Sequence, residues 1–435
     1  MSTPTSTFAS LGEMQPLIDT CVHCGFCLPA CPSYLLLNQE MDSPRGRIYL
    51  MKGGVEGRVP MSPDFMRHFD TCLGCMACET ACPSGVRYAP LIEETRAAIE
   101  RAQSRPAASR WFRSLMFNLL PYPSRLRVAA AGLGAARLIQ RHSWIVQALP
   151  DALRALVELA PAPRTRAPAV PETTNAKGER RRRVGLLTGC VQSVFFSDVN
   201  AATARVLAAE GCEVAAPRPQ TCCGALALHA GRDEDARAFA KSIIHTFEQA
   251  NVDHVVVNAA GCGSTLKTYG SLLEKDPQWA DRARSFANKV RDATEMLAEL
   301  GPPRGARHPL PAAVAYHDAC HLAHAQGIRA QPRTVLSAIP GVRLIPLAEN
   351  DVCCGSAGIF NLVQPQMAEE LGRRKMARVE ESNAEIVATS NPGCILQLEA
   401  AARRRGARVT VVHVIELVDA SLNGRPIDRV RAGLP

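Results

Sequence analysis

The stretches CVHCGFCLPACP (21–32) and CLGCMACETACP (72–83) decide how this chain is read. Each is C-x2-C-x2-C-x3-C-P: Cys21, Cys24, Cys27, Cys31 and Pro32 in the first, Cys72, Cys75, Cys78, Cys82 and Pro83 in the second. Three thiolates on one tight loop cap three corners of an iron–sulfur cubane. The fourth points away as a helix begins and ligates the other cluster. The spacing therefore predicts two [4Fe–4S] clusters, one on Cys21, Cys24, Cys27 and Cys82, the other on Cys72, Cys75, Cys78 and Cys31. Zinc knuckles and redox C-x-x-C pairs use the same residue type. A closed zinc tetrahedron, however, gains nothing from an evenly spaced run ending in proline.

The 34–69 insert between the runs contains MDSPRGRIYLMKG, where Ser43 and Pro44 have the form of a helix start. This predicts a mainly helical two-cluster domain over 1–100. Arg45 and Arg47 are placed either to hydrogen-bond a cluster or partner or to sit on an exposed helix turn.

The rest of the composition is that of an ordinary globular protein, 47% hydrophobic and 21% charged, with a net charge of +9. The first 20 residues show no basic segment followed by an apolar core, so the expected compartment is the cytoplasm or the cytoplasmic membrane face. There thiols stay reduced, and 17 cysteines read as metal binding rather than as a disulfide framework. No apolar run approaches the roughly 18 residues of a spanning helix.

Residues 101–160 read as helical and basic, interrupted at Pro121 and Pro123. Trp111, Phe112, Leu115, Met116 and Leu119 fall near one helical face beside Arg110 and Arg113, a pattern that suits core packing, an anionic membrane or a partner. Residues 161–183, rich in Pro, Thr and Arg without periodicity, are expected to be a flexible linker.

The remaining cysteines repeat. Cys190, Cys222, Cys223 and Cys262 form one set; Cys320, Cys353, Cys354 and Cys394 form another, displaced by 130 to 132 positions. A near-constant displacement marks a duplicated module, here 184–300 and 301–435. Short apolar runs end at each cysteine-bearing loop, and helical stretches lie between them. This alternation predicts a parallel sheet with helices on its faces and ligands at the carboxyl ends of its strands. The fold class expected for the whole is α+β and multidomain. Cys212, left over between a helix and a strand, is expected to be simply buried. In YHDACH (316–321), His317 and His321 are candidates for ligand, proton donor, support to a ligand or plain structural hydrogen bonding.

Together these motifs resemble the iron–sulfur subunits of glycolate oxidase: CVHCGFCLPACPSY, DSPRGRIYLMKG and CLGCMACETACPSGVRY, then LLTGCVQ, TCCGAL, YHDACHL, VCCGSAGIFN and NPGC. The subunits of anaerobic glycerol-3-phosphate dehydrogenase and of lactate utilisation are related, and heterodisulfide reductase uses similar cysteine-rich CCG modules. The resemblance implies a mainly helical ferredoxin domain of the succinate dehydrogenase kind followed by tandem CCG modules. The fullest CCG pattern ends in C-x-x-C, whereas here Ala259 and Asn391 stand at the first position of that pair. A thiolate is thereby lost from each site. Two outcomes stay open: an additional iron–sulfur cluster in the CCG modules, or none.

No G-x-G-x-x-G follows a strand, and GLGAAR at 132–137 lacks that context. Oxidation of a 2-hydroxy acid delivers a hydride to an organic cofactor, whereas iron–sulfur clusters carry single electrons. The resemblance thus implies a flavoprotein partner that oxidises glycolate or D-lactate, a quinone or other acceptor, and peripheral contact with the inner membrane. Chemistry at the CCG cysteines, as in disulfide reduction, is the rival. A nucleic-acid-binding regulator is disfavoured, since no helix-turn-helix or compact basic face is evident.

Overall fold

Proline sets where several helices of the N-terminal part begin. In the computed structural model, which describes residues 8–102, 105–132, 139–140, 142–160 and 169–431, helix α1 (Pro32–Leu37) opens on the proline that closes the first cysteine run. Helix α2 (Pro44–Val55) opens on Pro44, and Ser43 caps it by accepting from Gly46 N at 3.0 Å. Proline suits such positions because its missing N–H would have no partner there. α3 (Pro63–Asp70) and α4 (Tyr88–Ala102) complete the first domain. Its core joins Leu11, Ile48, Met51, Phe65, Phe69 and Leu91 to Cys72 and Cys78.

The middle segment supplies α5 (Ala107–Leu119), α6 (Pro123–Ala131) and α7 (Asp151–Glu158). The buried stripe of α5 differs from the expected one. Met116 and Phe117 pack with Ala155, Ile359 and Leu362, with Phe112 beside them, while Leu115 faces solvent and Trp111 is 68% exposed. Arg113, paired with Glu100 at 2.9 Å, is largely buried on the same side of the helix. Most of GLGAAR lies outside the described residues, as does 161–168 of the expected linker. The rest of that linker is structured. β1 (Thr173–Thr174) pairs antiparallel with β3 (Cys212–Ala215), and β2 (Arg182–Leu187) begins before residue 184. Paired backbone, which periodicity in side chains does not report, makes this difference.

The first module continues through α8 (Ser197–Ala209), β3 (Cys212–Ala215), α9 (Asp233–Gln249), β4 (His254–Val257), α10 (Ala260–Lys267), β5 (Val290–Asp292) and α11 (Ala293–Glu299). The second has β6 (Ala312–Tyr316), α12 (Cys320–Ala323), β7 (Val342–Ile345), α13 (Pro365–Glu381), β8 (Ile386–Thr389), α14 (Pro392–Arg405), β9 (Thr410–His413) and α15 (Val414–Leu422). Strand order is β1-β3-β2-β4-β5 in one sheet and β7-β6-β8-β9 in the other. Apart from β1, every pairing is parallel. The registers match as well: Val184 stands opposite His254, and Val314 opposite Ile386.

The two modules share one core. Leu186, Val214 and Val256 of the first cluster with Val314, Ile386, Val412 and Val418 of the second. Arg205 on α8 pairs with buried Asp419 on α15 at 2.7 Å, and His413 Nε2 lies 2.9 Å from Asn258 O. One face of each sheet is therefore covered partly by the other module, which brings the carboxyl ends of both sheets together.

Candidate iron–sulfur and cysteine-rich site

The two N-terminal loops have the same backbone. His23 and Gly25 in the first, and Gly74 and Met76 in the second, take positive φ at matching positions after their first cysteine. Such turns curl the chain around its thiols, and Gly74 N donates to Cys72 Sγ at 3.4 Å. The charge of Cys82 bears on Cys21, and that of Cys31 on Cys75 and Cys78 as well as on Cys27. One set is outward: Cys24 is exposed, with Cys21, Cys27 and Cys82 partly so. The other set, Cys31, Cys72, Cys75 and Cys78, is buried.

Cations reach the buried set. Arg47 is fully buried, its guanidinium donating to Ser33 and Thr71 hydroxyls at 3.0 Å each and lying 3.6 Å from Asp42. It is thus not on an exposed turn. Arg96 donates to the carbonyls of Phe69, Cys72 and His229. Burial pushes the Cys72 thiol up, but Arg47 and Arg96, with the Gly74 N–H and Tyr88 hydroxyl, outweigh it and hold Cys72 below the usual thiol range. Burial pushes Cys75 and Cys78 well up. Thiols in two sets of four, with a cationic and N–H-rich surround for the buried set, fit [4Fe–4S] clusters, which are held as thiolates.

In the first CCG module, Cys190 Sγ and Cys222 Sγ are 3.6 Å apart, and the Cys223 thiol engages Cys222 and Cys262. In the second, Cys320 Sγ and Cys353 Sγ are 3.9 Å apart, and Cys354 engages Cys353 and Cys394. All eight fall on the loops that follow the carboxyl ends of strands or in the first turns of the helices after them. Cys212, in contrast, lies in β3 within the shared core, its thiol pushed up to about 11 by burial. The second module touches the ferredoxin-like domain. Cys320 and Cys353 cluster with Cys75 and Leu73, and His321 Nε2 lies 2.9 Å from Gly74 O.

Asn391 takes a role beyond that of a missing thiolate. Its Nδ2 donates to Cys394 Sγ at 3.4 Å and its Oδ1 accepts from Gly261 N at 3.4 Å, joining the modules. Arg96, by contrast, belongs to no motif; only the fold brings it from α4 to the Cys72 loop. His229 likewise gave no signal in the sequence. Its ring meets that of His321 edge-on at 4.9 Å, and its Nε2 and the His321 Nδ1 are both buried without a partner.

These rings line a cavity of about 820 Å³ at the meeting point of all the parts. Its wall includes Cys72 and Leu73 of the second run, Cys190, Cys222 and Cys262, then Cys320 and Cys394, with Met116, Leu120 and Leu156 of the helical segment closing an apolar side.

Family models agree with this division: a 4Fe-4S dicluster domain matches 17–86, and a cysteine-rich CCG domain matches 184–267 and again 314–399. A ferredoxin-like dicluster head on tandem CCG modules thus defines the class. Within it, the chain is 37% identical to a probable glycolate oxidase iron-sulfur subunit of Bacillus subtilis, over 92% of each chain. It is 35% identical to the glycolate oxidase iron-sulfur subunit of Escherichia coli, over 94% of this chain and 95% of that one. Lactate utilization protein A of an Exiguobacterium species is 30% identical over 54% of this chain and 96% of its own. The chain belongs to the family of glycolate oxidase iron–sulfur subunits.

Proposed function

We propose that this chain is the electron-transfer subunit of a flavin-dependent 2-hydroxy acid dehydrogenase, oxidising glycolate to glyoxylate, and that it passes electrons from a flavoprotein partner to a quinone. Cys21, Cys24, Cys27 and Cys82 would hold one [4Fe–4S] cluster, and Cys31, Cys72, Cys75 and Cys78 the other. When bound, these groups supply one-electron transfer. The observation that carries the reading is the graded burial of the two cysteine sets, one at the surface and one buried, reaching the apolar cavity through Cys72.

The outward set is framed by Val22 and Phe26, 67% and 66% exposed. An apolar rim at an exposed redox loop suits docking of the flavoprotein, because it brings donor and acceptor close once water is expelled. At the inner end, the cavity offers apolar walls and the His229 imidazole, whose buried Nε2 has no partner, while the His321 N–H is already given to Gly74 O. A quinone is an apolar ring with carbonyls that need donors. Near the cavity, Trp111 and Val128 lie exposed on the basic helices α5 and α6. Aromatic and aliphatic side chains next to arginines suit peripheral contact with an anionic membrane, where quinone dissolves. Among the described residues no helix is long and apolar enough to cross one.

Likeness to a lactate utilization protein favours lactate as a further substrate of the partner. A second reading, disulfide reduction at the CCG cysteines, draws on the 3.6 Å approach of Cys190 and Cys222. Reconstitution decides. Glycolate-dependent reduction of a soluble quinone analogue that requires both this chain and the flavoprotein supports the proposal. Disulfide turnover by this chain alone, from an artificial reductant, contradicts it.

A further inference from the structure

His317, Cys354 and Cys394 converge in the second module. One ring nitrogen of His317 and the two sulfurs lie within 4.8 Å of one another, and all three residues are buried. Among the described residues no other group of three His, Cys, Asp or Glu side chains is this tight. Ligands of a single tetrahedral ion, at bond lengths of about 2.0–2.3 Å, stand roughly 3.3–3.8 Å apart. Thiolates on separate corners of a cubane stand farther from one another, so a spacing within 4.8 Å lies nearer that of one ion.

The surround supports the same conclusion. His317 Nδ1 is buried without any hydrogen-bond partner, an expensive state for an imidazole unless something else satisfies the ring. Two thiolates neutralise a doubly charged ion, and neutral imidazole adds no charge. The Asn391 amide donates to Cys394 Sγ and so orients that sulfur, as the hydrogen-bonded neighbours of metal ligands commonly do.

The duplication makes the site specific to one module. Val184 and Val314 hold matching registers in the two sheets, so Leu187 occupies in the first module the place of His317 in the second. The first module therefore has the thiols and lacks the imidazole.

We propose that His317, Cys354 and Cys394 bind one divalent metal of borderline softness, zinc by its donor set, and that the fourth position is taken by water or another small donor. The site is separate from the two N-terminal cysteine sets and is absent from the first module. Metal binding releases the thiol protons to solvent and involves no change of oxidation state.

The test is elemental analysis of the anaerobically purified full-length chain. About one zinc per chain is expected beside the iron. His317→Ala and Cys394→Ser should each lose at least four-fifths of the zinc and leave iron and sulfide unchanged, while Cys262→Ser retains it. Should His317→Ala prove insoluble, His317→Cys serves instead. Grown with cobalt in place of zinc, it should keep the metal and shift the thiolate-to-cobalt absorption relative to wild type. Zinc retained in His317→Ala, or cobalt absorption unmoved in His317→Cys, overturns the proposal. So does an absence of zinc with iron, beyond that of two [4Fe–4S] clusters, that disappears in Cys394→Ser.

Discussion

His321 Nε2 lies 2.9 Å from the carbonyl oxygen of Gly74, tying the helix that starts at Cys320 to the loop that carries Cys72 and Cys75. Burial first, then the charge of His229, holds the His321 imidazole down at about 4, so the ring is neutral at pH 7 and its single N–H is the donor. Removing it in His321→Ala should leave cluster content intact and slow glycolate-dependent quinone reduction on the order of tenfold, the kinetic equivalent of one hydrogen bond of about 1.4 kcal/mol. His321→Gln, which keeps a donor, should recover most of the rate. Equal rates in all three proteins would make the contact purely structural.

Much of this arrangement was legible in the sequence. The two C-x2-C-x2-C-x3-C-P runs, the Ser43–Pro44 helix start and the repeated parallel strands all rest on local spacing, which the chain displays openly. The partners of those residues were not. Arg47 gave no sign of whether it would be buried or exposed, because that depends on Ser33 and Thr71 folding around it. Arg96 and His229 come from segments without a motif, and only tertiary packing brings them together. Thr173 and Thr174 join a sheet through backbone pairing to a strand some 40 residues on, which polar side chains concealed.

Arg47 is a buried cation whose charge acts on Cys72 and Cys31. Arg47→Gln should therefore lower the reduction potential of the inner cluster. For a charge within about 6 Å at an effective dielectric of about 20, the shift is on the order of 100 mV. Potentiometric titration followed by electron paramagnetic resonance measures it, and Arg47→Lys should restore most of the change. A potential that does not move in Arg47→Gln would remove the guanidinium from any role in tuning.

Cys24 is exposed in the outward set, and its loss should spare the inner one. Cys24→Ser is expected to remove one cluster's paramagnetic signal and leave the other. Iron content equal to wild type would refute the assignment of Cys24 as a ligand.

Cys353 clusters with Cys75 at the junction between domain and module. Cys353→Ser should impair delivery of electrons to the final acceptor several-fold while both N-terminal clusters remain loaded. Wild-type rates would reduce this cysteine to scaffold.

Asp292 caps α11 from a buried position, and burial holds its carboxyl up at about 6 even though the Thr294 N–H and hydroxyl donate to it. Unfolded, the group titrates near 3.9. Between these values the folded chain binds more protons. The stabilising contribution is complete below about pH 4 and is lost as pH rises through 6, amounting to about 3 kcal/mol. Asp292→Asn should flatten this dependence, so the gap in apparent unfolding temperature between variant and wild type moves in the variant's favour from pH 4 to pH 7.5. A constant gap would contradict a raised carboxyl.

The central claim is that electrons reach this chain from a flavoprotein that oxidises a hydroxy acid. The direct test is electron paramagnetic resonance of the anaerobic chain after addition of glycolate, with and without the flavoprotein. Signals of two reduced [4Fe–4S] clusters should appear only when both proteins are present. Reduction by glycolate without the flavoprotein, or clusters that stay oxidised in a complex that is turning over, would contradict the account.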